Sequence, residues 1–184
     1  MTPNLGPSRP DASKDDRPPQ VAIVNLGCRV NRVEADLIAS RLVQAGCAVV
    51  PQPEADAVVI NTCAVTGEAQ AKARKAVRHA HDLPQSPVVV ACGWAANLFA
   101  DELRQAAPGV TVEARKDQVA DVVMELLGYA PGVPSVGGAG RLAHSMTPTG
   151  RMRPGIKIQD GCDNRCAYCI VWKARGGSRS LASD

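Results

Sequence analysis

Two sets of cysteines hold the residues most able to do chemistry. Toward the C-terminal end, Cys162, Cys166 and Cys169 are spaced Cys-x3-Cys-x2-Cys. Three thiolates on so short a loop can wrap a cubane [4Fe–4S] cluster and leave its fourth iron open to a chelating small molecule. Alone, Cys166-Ala167-Tyr168-Cys169 would read as a redox dithiol, but a third cysteine four residues upstream argues against that. The spacing also differs from a zinc ribbon, which needs a second pair of ligands some way off.

The other set is dispersed. Cys28, Cys63 and Cys92 each follow a short apolar run, Val21 to Leu26, Ala57 to Asn61 and Val88 to Ala91. If these runs are parallel strands, their carboxyl ends share one edge of a sheet, where such folds bind ligands. Three thiolates there suit an iron–sulfur cluster with one open iron, or zinc with a fourth ligand from elsewhere. No histidine follows at zinc-finger spacing: His79 and His81 fall in a helical stretch and His144 in a glycine-rich one. Iron and sulfide are therefore the expected partners. Gly27 and Gly93 adjoin this set and would let the backbone bend around a bulky group. The seventh cysteine, Cys47, precedes a strand, belongs at the opposite edge, and reads as a small apolar core residue.

The elements that must position these thiols follow from the apolar pattern. Further candidate strands are Ala48 to Val50 and Val110 to Glu113. Helical stretches lie at about Arg32 to Ala45, Gly67 to His81, Ala95 to Ala106 and Lys116 to Leu127, with Gly46, Gly109 and Gly128 as terminators. In the first, Val33, Leu37, Ile38, Ser40, Leu42 and Val43 form the expected buried stripe. This alternation predicts a three-layer α/β domain with a parallel sheet of about five strands over residues 21–128. Residues 1–20 hold five prolines and read as a disordered leader; residues 129–154, rich in Gly and Pro, read as a linker. Residues 155–184 begin a second unit, with a strand over 155–159 leading into the Cys162 loop.

Composition sets the limits. With 45% hydrophobic but only 3% aromatic residues, the core must be built from small aliphatic side chains. No run approaches the roughly 18 apolar residues of a membrane span. No basic-then-apolar leader opens the chain, so seven cysteines read as reduced thiols of a cytoplasmic protein. The net charge of +3 hides an asymmetry: residues 1–140 hold 13 Lys/Arg against 15 Asp/Glu, whereas residues 141–183 hold 8 against 2. A basic end of this kind fits a polyanionic partner such as nucleic acid, or a solvated face.

The segments Leu26-Gly27-Cys28-Arg29-Val30-Asn31, Asn61-Thr62-Cys63-Ala64-Val65-Thr66, Val89-Val90-Ala91-Cys92 and Lys157 to Ile170 together resemble the radical S-adenosylmethionine methylthiotransferases. The resemblance covers about residues 21–180. Arg29-Val30-Asn31 and Ala64-Val65-Thr66 look most like the branch acting on N6-threonylcarbamoyladenosine beside the tRNA anticodon. A further branch modifies an aspartate of a ribosomal protein, and a non-catalytic iron–sulfur-binding fragment is the reading from another class.

The resemblance implies two [4Fe–4S] clusters. Cys162, Cys166 and Cys169 would hold one, whose open iron chelates S-adenosylmethionine for reductive cleavage to a 5′-deoxyadenosyl radical that takes hydrogen from C2 of the adenine. Cys28, Cys63 and Cys92 would hold the auxiliary cluster that presents the sulfur. Its implied partners are the anticodon stem-loop of tRNA and an electron donor such as flavodoxin or ferredoxin. Many relatives have Gly where this chain has Ala91, and a large residue where it has Gly93. They also continue through a β/α barrel and a small RNA-holding β-barrel. The expectation is thus a chain truncated early in the barrel and inactive on tRNA by itself. Lys72, Arg74, Lys75 and Arg78, and the basic residues Arg151, Arg153, Lys157, Lys173, Arg175 and Arg179, are candidates for phosphate contact. Trp94 and Trp172 are candidates for stacking on a base.

Overall fold

Strands and helices alternate along the chain as the apolar pattern requires, in a computed structural model that describes residues 17–64, 66–129 and 155–180. The expected leader, apart from residues 17–20, and the expected linker, apart from Tyr129, lie outside the described residues, as do Arg151, Arg153 and His144. Five strands, β1 (Gln20–Asn25), β2 (Ala48–Val49), β3 (Ala57–Thr62), β4 (Val88–Gly93) and β5 (Thr111–Glu113), form one parallel sheet in the order β2-β1-β3-β4-β5. Between them run helices α1 (Arg29–Gln44), α2 (Gly67–His81), α3 (Trp94–Leu98) and α4 (Ala100–Ala106), with α5 (Val119–Leu126) after β5.

Every residue of β3 is buried, because helices cover both faces of the sheet. On one face Ile38 and Leu42 of α1 and Val119, Val123 and Met124 of α5 pack on Val21, Val59 and Val90. On the other, Ala73, Val77 and Ala80 of α2 and Leu103 of α4 pack on Val58, Ile60, Val89 and Ala91. The core is aliphatic and small, and the three layers are those expected.

Several boundaries differ from the expectation. Helix α1 starts at Arg29, a turn earlier than the apolar period indicates, and its buried residues are Asn31, Glu34, Ala35, Asp36, Ile38, Ala39 and Leu42, while Leu37 is 55% exposed. The stripe is rotated because Asn31 turns inward and donates to the Thr62 carbonyl at 2.9 Å. The stretch Ala95 to Ala106 is two helices, broken at Phe99 with φ −137° and ψ 40°. Helix α2 has the expected bounds, its first turn capped by Thr66 Oγ1, which accepts from the Ala69 amide at 3.1 Å.

In the second segment, the strand expected over 155–159 is replaced by a two-residue strand β6 (Gln159–Asp160). It pairs antiparallel with β7 (Arg179–Ser180), with helix α6 (Val171–Arg175) between them. Ile156 and Ile158 have no neighbouring strand among the described residues and stand 85% and 78% exposed. Alternation of apolar residues alone does not make a strand without a partner for its backbone.

Candidate functional site

The sheet order fixes where a ligand can sit. From β1 the chain goes outward to β2 and then returns to β3 on the other side of β1. Consequently α1 covers one face and α2 the other, and a crevice opens outside the carboxyl ends of β1 and β3. Cys28 follows β1 as the residue capping α1, and Cys63 follows β3. Both expected sulfur positions therefore flank the switch point.

Cys92 stands differently. The expected end of its strand was Ala91, but β4 runs to Gly93, so Cys92 lies within the sheet, level with Asn61 on β3 and Glu113 on β5. Asn25 of β1 is level with Asn61. Cys63 is two residues beyond this row and Cys28 three, so Cys92 sits deeper by roughly 7–10 Å at about 3.3 Å per residue. Exposure follows depth: Cys28 is exposed, Cys63 is 7% exposed and Cys92 is fully buried. Burial, with Glu34 and Glu113 adding to it and Lys116 opposing, pushes the Cys92 thiol up to about 12. Among the described residues no three Cys, His, Asp or Glu side chains stand together as a metal-holding group, so the three thiols share an edge without converging at a point.

The floor between Cys28 and Cys92 is made of amides. Asn31 Oδ1 lies 3.8 Å from Cys28 Sγ, and Asn61 Oδ1 lies 4.0 Å from Cys92 Sγ. Asn61 Nδ2 donates to the Asn31 carbonyl at 2.7 Å, joining the two. Thr62 Oγ1 donates to the Cys92 carbonyl at 2.6 Å and accepts from the Ala95 amide at 3.1 Å, tying the end of β4 to α3. Among the described residues Asn25 Nδ2 is buried with no hydrogen-bond partner. Close backbone approach accounts for the glycines: a Cβ on Gly27 would come within 2.7 Å of Asn31 Nδ2. Gly93 has φ 90°, and its Cβ would meet the Thr62 carbonyl at 2.5 Å. Soft thiol donors beside an unused amide donor suit an iron–sulfur group with sulfide acceptors. Binding there would take the protons from the thiols, Cys92 included.

Cys47 behaves as expected of a structural residue. It is 5% exposed at the amino end of β2, 3.4 Å from Met124 Sδ, and burial, with the Asp56 carboxylate adding to it, pushes its thiol up to about 11.

The loop carrying Cys162, Cys166 and Cys169 is short and open, with Cys166 exposed and the other two half-buried. The Cys169 amide donates to the Cys166 carbonyl at 3.1 Å, and the Cys162 amide to the Gly176 carbonyl at 3.1 Å. Gly161, with φ 77°, passes so close to the Gly176-Gly177 backbone that no side chain fits. The loop thus presents three thiols on a turn fixed by backbone bonds, which fits a cluster in its donor set and access.

A buried charge network, absent from the expectations, joins the two regions. Glu34 of α1 is 3% exposed and accepts from Lys116 (2.5 Å), Lys157 (3.0 Å) and Arg175 (2.6 Å). Asp160 accepts from Lys157 at 2.8 Å and from Arg175 at 2.5 Å. Burial alone would raise both carboxyls, but Lys157 and Arg175, and for Glu34 also Lys116, outweigh it and hold them below the usual carboxylate range. The sequence did carry a signal: Glu34 sits on the same helical row as Ile38 and Leu42, four and eight residues on, where an unpaired charge would be costly. Beside the network lies a cavity of about 330 Å³, to which Arg41 and Arg179 add positive charge.

The candidate nucleic-acid contacts divide. Lys72 pairs with Glu68 and Arg74 with Glu102, as on a solvated helix face. Lys157 and Arg175 are held by the network. Trp94 is 5% exposed beneath the Arg175 guanidinium, 4.4 Å from its ring, which leaves no free face for a base on that side. Trp172 is flanked by Lys173 at 5.2 Å and Arg165 at 5.7 Å.

Residues 20–114, which hold the five-stranded sheet and Cys28, Cys63 and Cys92, match the model of the family described as "Uncharacterized protein family UPF0004". The chain belongs to this family. It is 32% identical over 173 residues to the ribosomal protein uS12 methylthiotransferase RimO of Desulforudis audaxviator, covering 88% of this chain and 38% of the relative. It is 31% identical over 160 residues to the threonylcarbamoyladenosine tRNA methylthiotransferase MtaB of Thermotoga maritima, covering 85% and 36%. MtaB of Aquifex aeolicus is likewise 31% identical, over 88% of this chain and 42% of that protein. The methylthiotransferase resemblance read from the cysteine motifs is borne out, and this UPF0004 chain spans well under half the length of these relatives. Both named kinds stand at nearly the same identity. Among the described residues no helix is long and apolar enough to cross a membrane.

Proposed function

We propose that this UPF0004 chain is the cluster-bearing portion of a tRNA methylthiotransferase acting on C2 of N6-threonylcarbamoyladenosine next to the anticodon. The observation that carries the reading is the docking of the Cys162 loop segment onto the domain that holds Cys28, Cys63 and Cys92. Cys162, Cys166 and Cys169 would hold the [4Fe–4S] cluster that binds S-adenosylmethionine, and Cys28, Cys63 and Cys92 an auxiliary cluster. The bound groups supply one-electron cleavage of S-adenosylmethionine and a sulfur for transfer.

The chain's own part is positional. Gly161 and the Gly176 carbonyl shape the backbone of the second loop, on which Cys166 is exposed and Cys162 and Cys169 are half-buried. Asn31, Asn61 and Thr62 hold the ends of β1, β3 and β4 in register beneath the first set. Asn25 Nδ2, without a partner among the described residues, supplies a donor there. A flavodoxin or ferredoxin in the cytoplasm would deliver electrons, and the basic residues Arg41 and Arg179 are available to a polyanion such as tRNA.

Arg29-Val30-Asn31 and Ala64-Val65-Thr66 support the threonylcarbamoyladenosine branch; the RimO relative at 32% identity supports, as a second reading, the branch that modifies a ribosomal protein aspartate. Expressing the coding sequence that contains this chain in a host without methylthiotransferases decides between them. The expected product is 2-methylthio-N6-threonylcarbamoyladenosine in digested tRNA. Unmodified tRNA with methylthiolated uS12 would assign the second branch instead.

A further inference from the structure

We infer that Glu34 is a positioning residue that fixes the second cysteine loop against the first sulfur site, so that the two are held in one rigid frame. The role in the reaction rests on the two-cluster reading above; the docking itself does not.

Glu34 lies six residues after Cys28 on α1, and its carboxylate gathers donors 82, 123 and 141 residues away in sequence. Two of these, Lys157 and Arg175, bracket the Cys162 loop and also bind Asp160, two residues before Cys162. Arg175 in turn lies on Trp94, two residues after Cys92, and Asn97 Nδ2 of α3 donates to the Ala174 carbonyl of α6 at 2.9 Å. A continuous set of contacts thus runs from both ends of the first cysteine set to both ends of the second.

Its chemistry is suited to geometry more than to stability. A buried ion network adds little over well-packed apolar residues, because desolvation offsets the attraction. What it adds is direction: three charge-assisted hydrogen bonds on one carboxylate permit one arrangement, whereas apolar contact alone lets helices slide. Without the Glu34 charge, Lys116 would lose its carboxylate partner beside Lys157 and Arg175, which would keep Asp160, and repulsion among the three cations would lift the second segment. Transfer chemistry needs reacting groups held at a fixed separation.

Hydrogen exchange on the reduced, metal-free chain tests the docking. In Glu34→Gln, amides of residues 157–180 are expected to exchange faster by on the order of 100-fold while β3 and β4 keep their protection. Lys157→Gln should act in the same direction, and the double variant should add less than the two factors multiplied, because the interaction is shared. Glu68→Gln, which breaks an exposed pair, should change nothing. Exchange that is unchanged, or raised evenly through β1 to β5, would overturn the assignment, as would fully multiplicative effects.

The role in the reaction is read separately, by paramagnetic resonance of the reconstituted and reduced protein. Spin coupling between two clusters is expected in the wild type and weakened in Glu34→Gln at equal iron content. Coupling of equal strength in both would contradict the positioning role. A wild type that takes up no iron contradicts the cluster reading alone, since exchange by itself upholds or overturns the docking.

Discussion

Replacing Cys28 or Cys63 by alanine is expected to remove an entire cluster, lowering iron after anaerobic reconstitution from about eight to about four per chain. Both residues stand outside the carboxyl ends of the two strands that flank the switch point, and each cubane site with three protein ligands loses a third of its anchoring when one thiolate goes. Cys92→Ala should act likewise despite its depth, because its sulfur adjoins the same amide floor. Cys47→Ala is the control: it is buried too, but at the opposite edge and against Met124, so iron should be unchanged. Equal loss in all four variants would overturn the strand-end argument. A colourless protein with tight stoichiometric zinc would replace iron by zinc as the metal.

The second large effect concerns the backbone that shapes this floor. Gly93→Ala is expected to destabilise the metal-free domain by about 3–5 kcal/mol, combining backbone strain with overpacking. At φ 90° and ψ −158°, Gly93 occupies a region essentially reserved for glycine. The added Cβ would meet the Thr62 carbonyl at 2.5 Å and the Thr62 amide nitrogen at 2.8 Å. Thr62 closes a fully buried central strand and is bonded to the Cys92 carbonyl, so neither atom can retreat. Such a cost is a large part of the roughly 5–15 kcal/mol that stabilises a domain, and melting should fall by about 15 °C or more. Gly109→Ala separates the two causes: φ there is 73°, but no atom of the described residues lies within 4 Å, so only about 1–2 kcal/mol is expected. Equal losses at the two positions would show that crowding against Thr62 contributes nothing.

The residues differ in how far their roles could be read from sequence. Cys28 and Cys63 were legible because apolar runs announce strands and strands announce their carboxyl ends. The depth of Cys92 was not, since β4 continues through Gly93 only by virtue of a conformation that glycine alone permits. The inward turn of Asn31 depends on Thr62, 31 residues away, and that contact rotates the buried stripe of α1. Ile156 and Ile158 alternate as strand residues do, yet strand formation depends on a partner that local pattern does not reveal. Glu34 was visible as a charge on an apolar row, but its three partners come from segments brought together by the fold.

The central claim is that the two cysteine sets divide the work, with only the Cys162 loop offering its open iron to S-adenosylmethionine. Paramagnetic resonance of the reduced protein, recorded before and after S-adenosylmethionine is added, tests this most directly. With Cys28, Cys63 and Cys92 replaced by alanine, the remaining cluster signal should change shape on addition. With Cys162, Cys166 and Cys169 replaced instead, the remaining signal should stay as it was. A response carried by the first set, or by neither, would contradict the account.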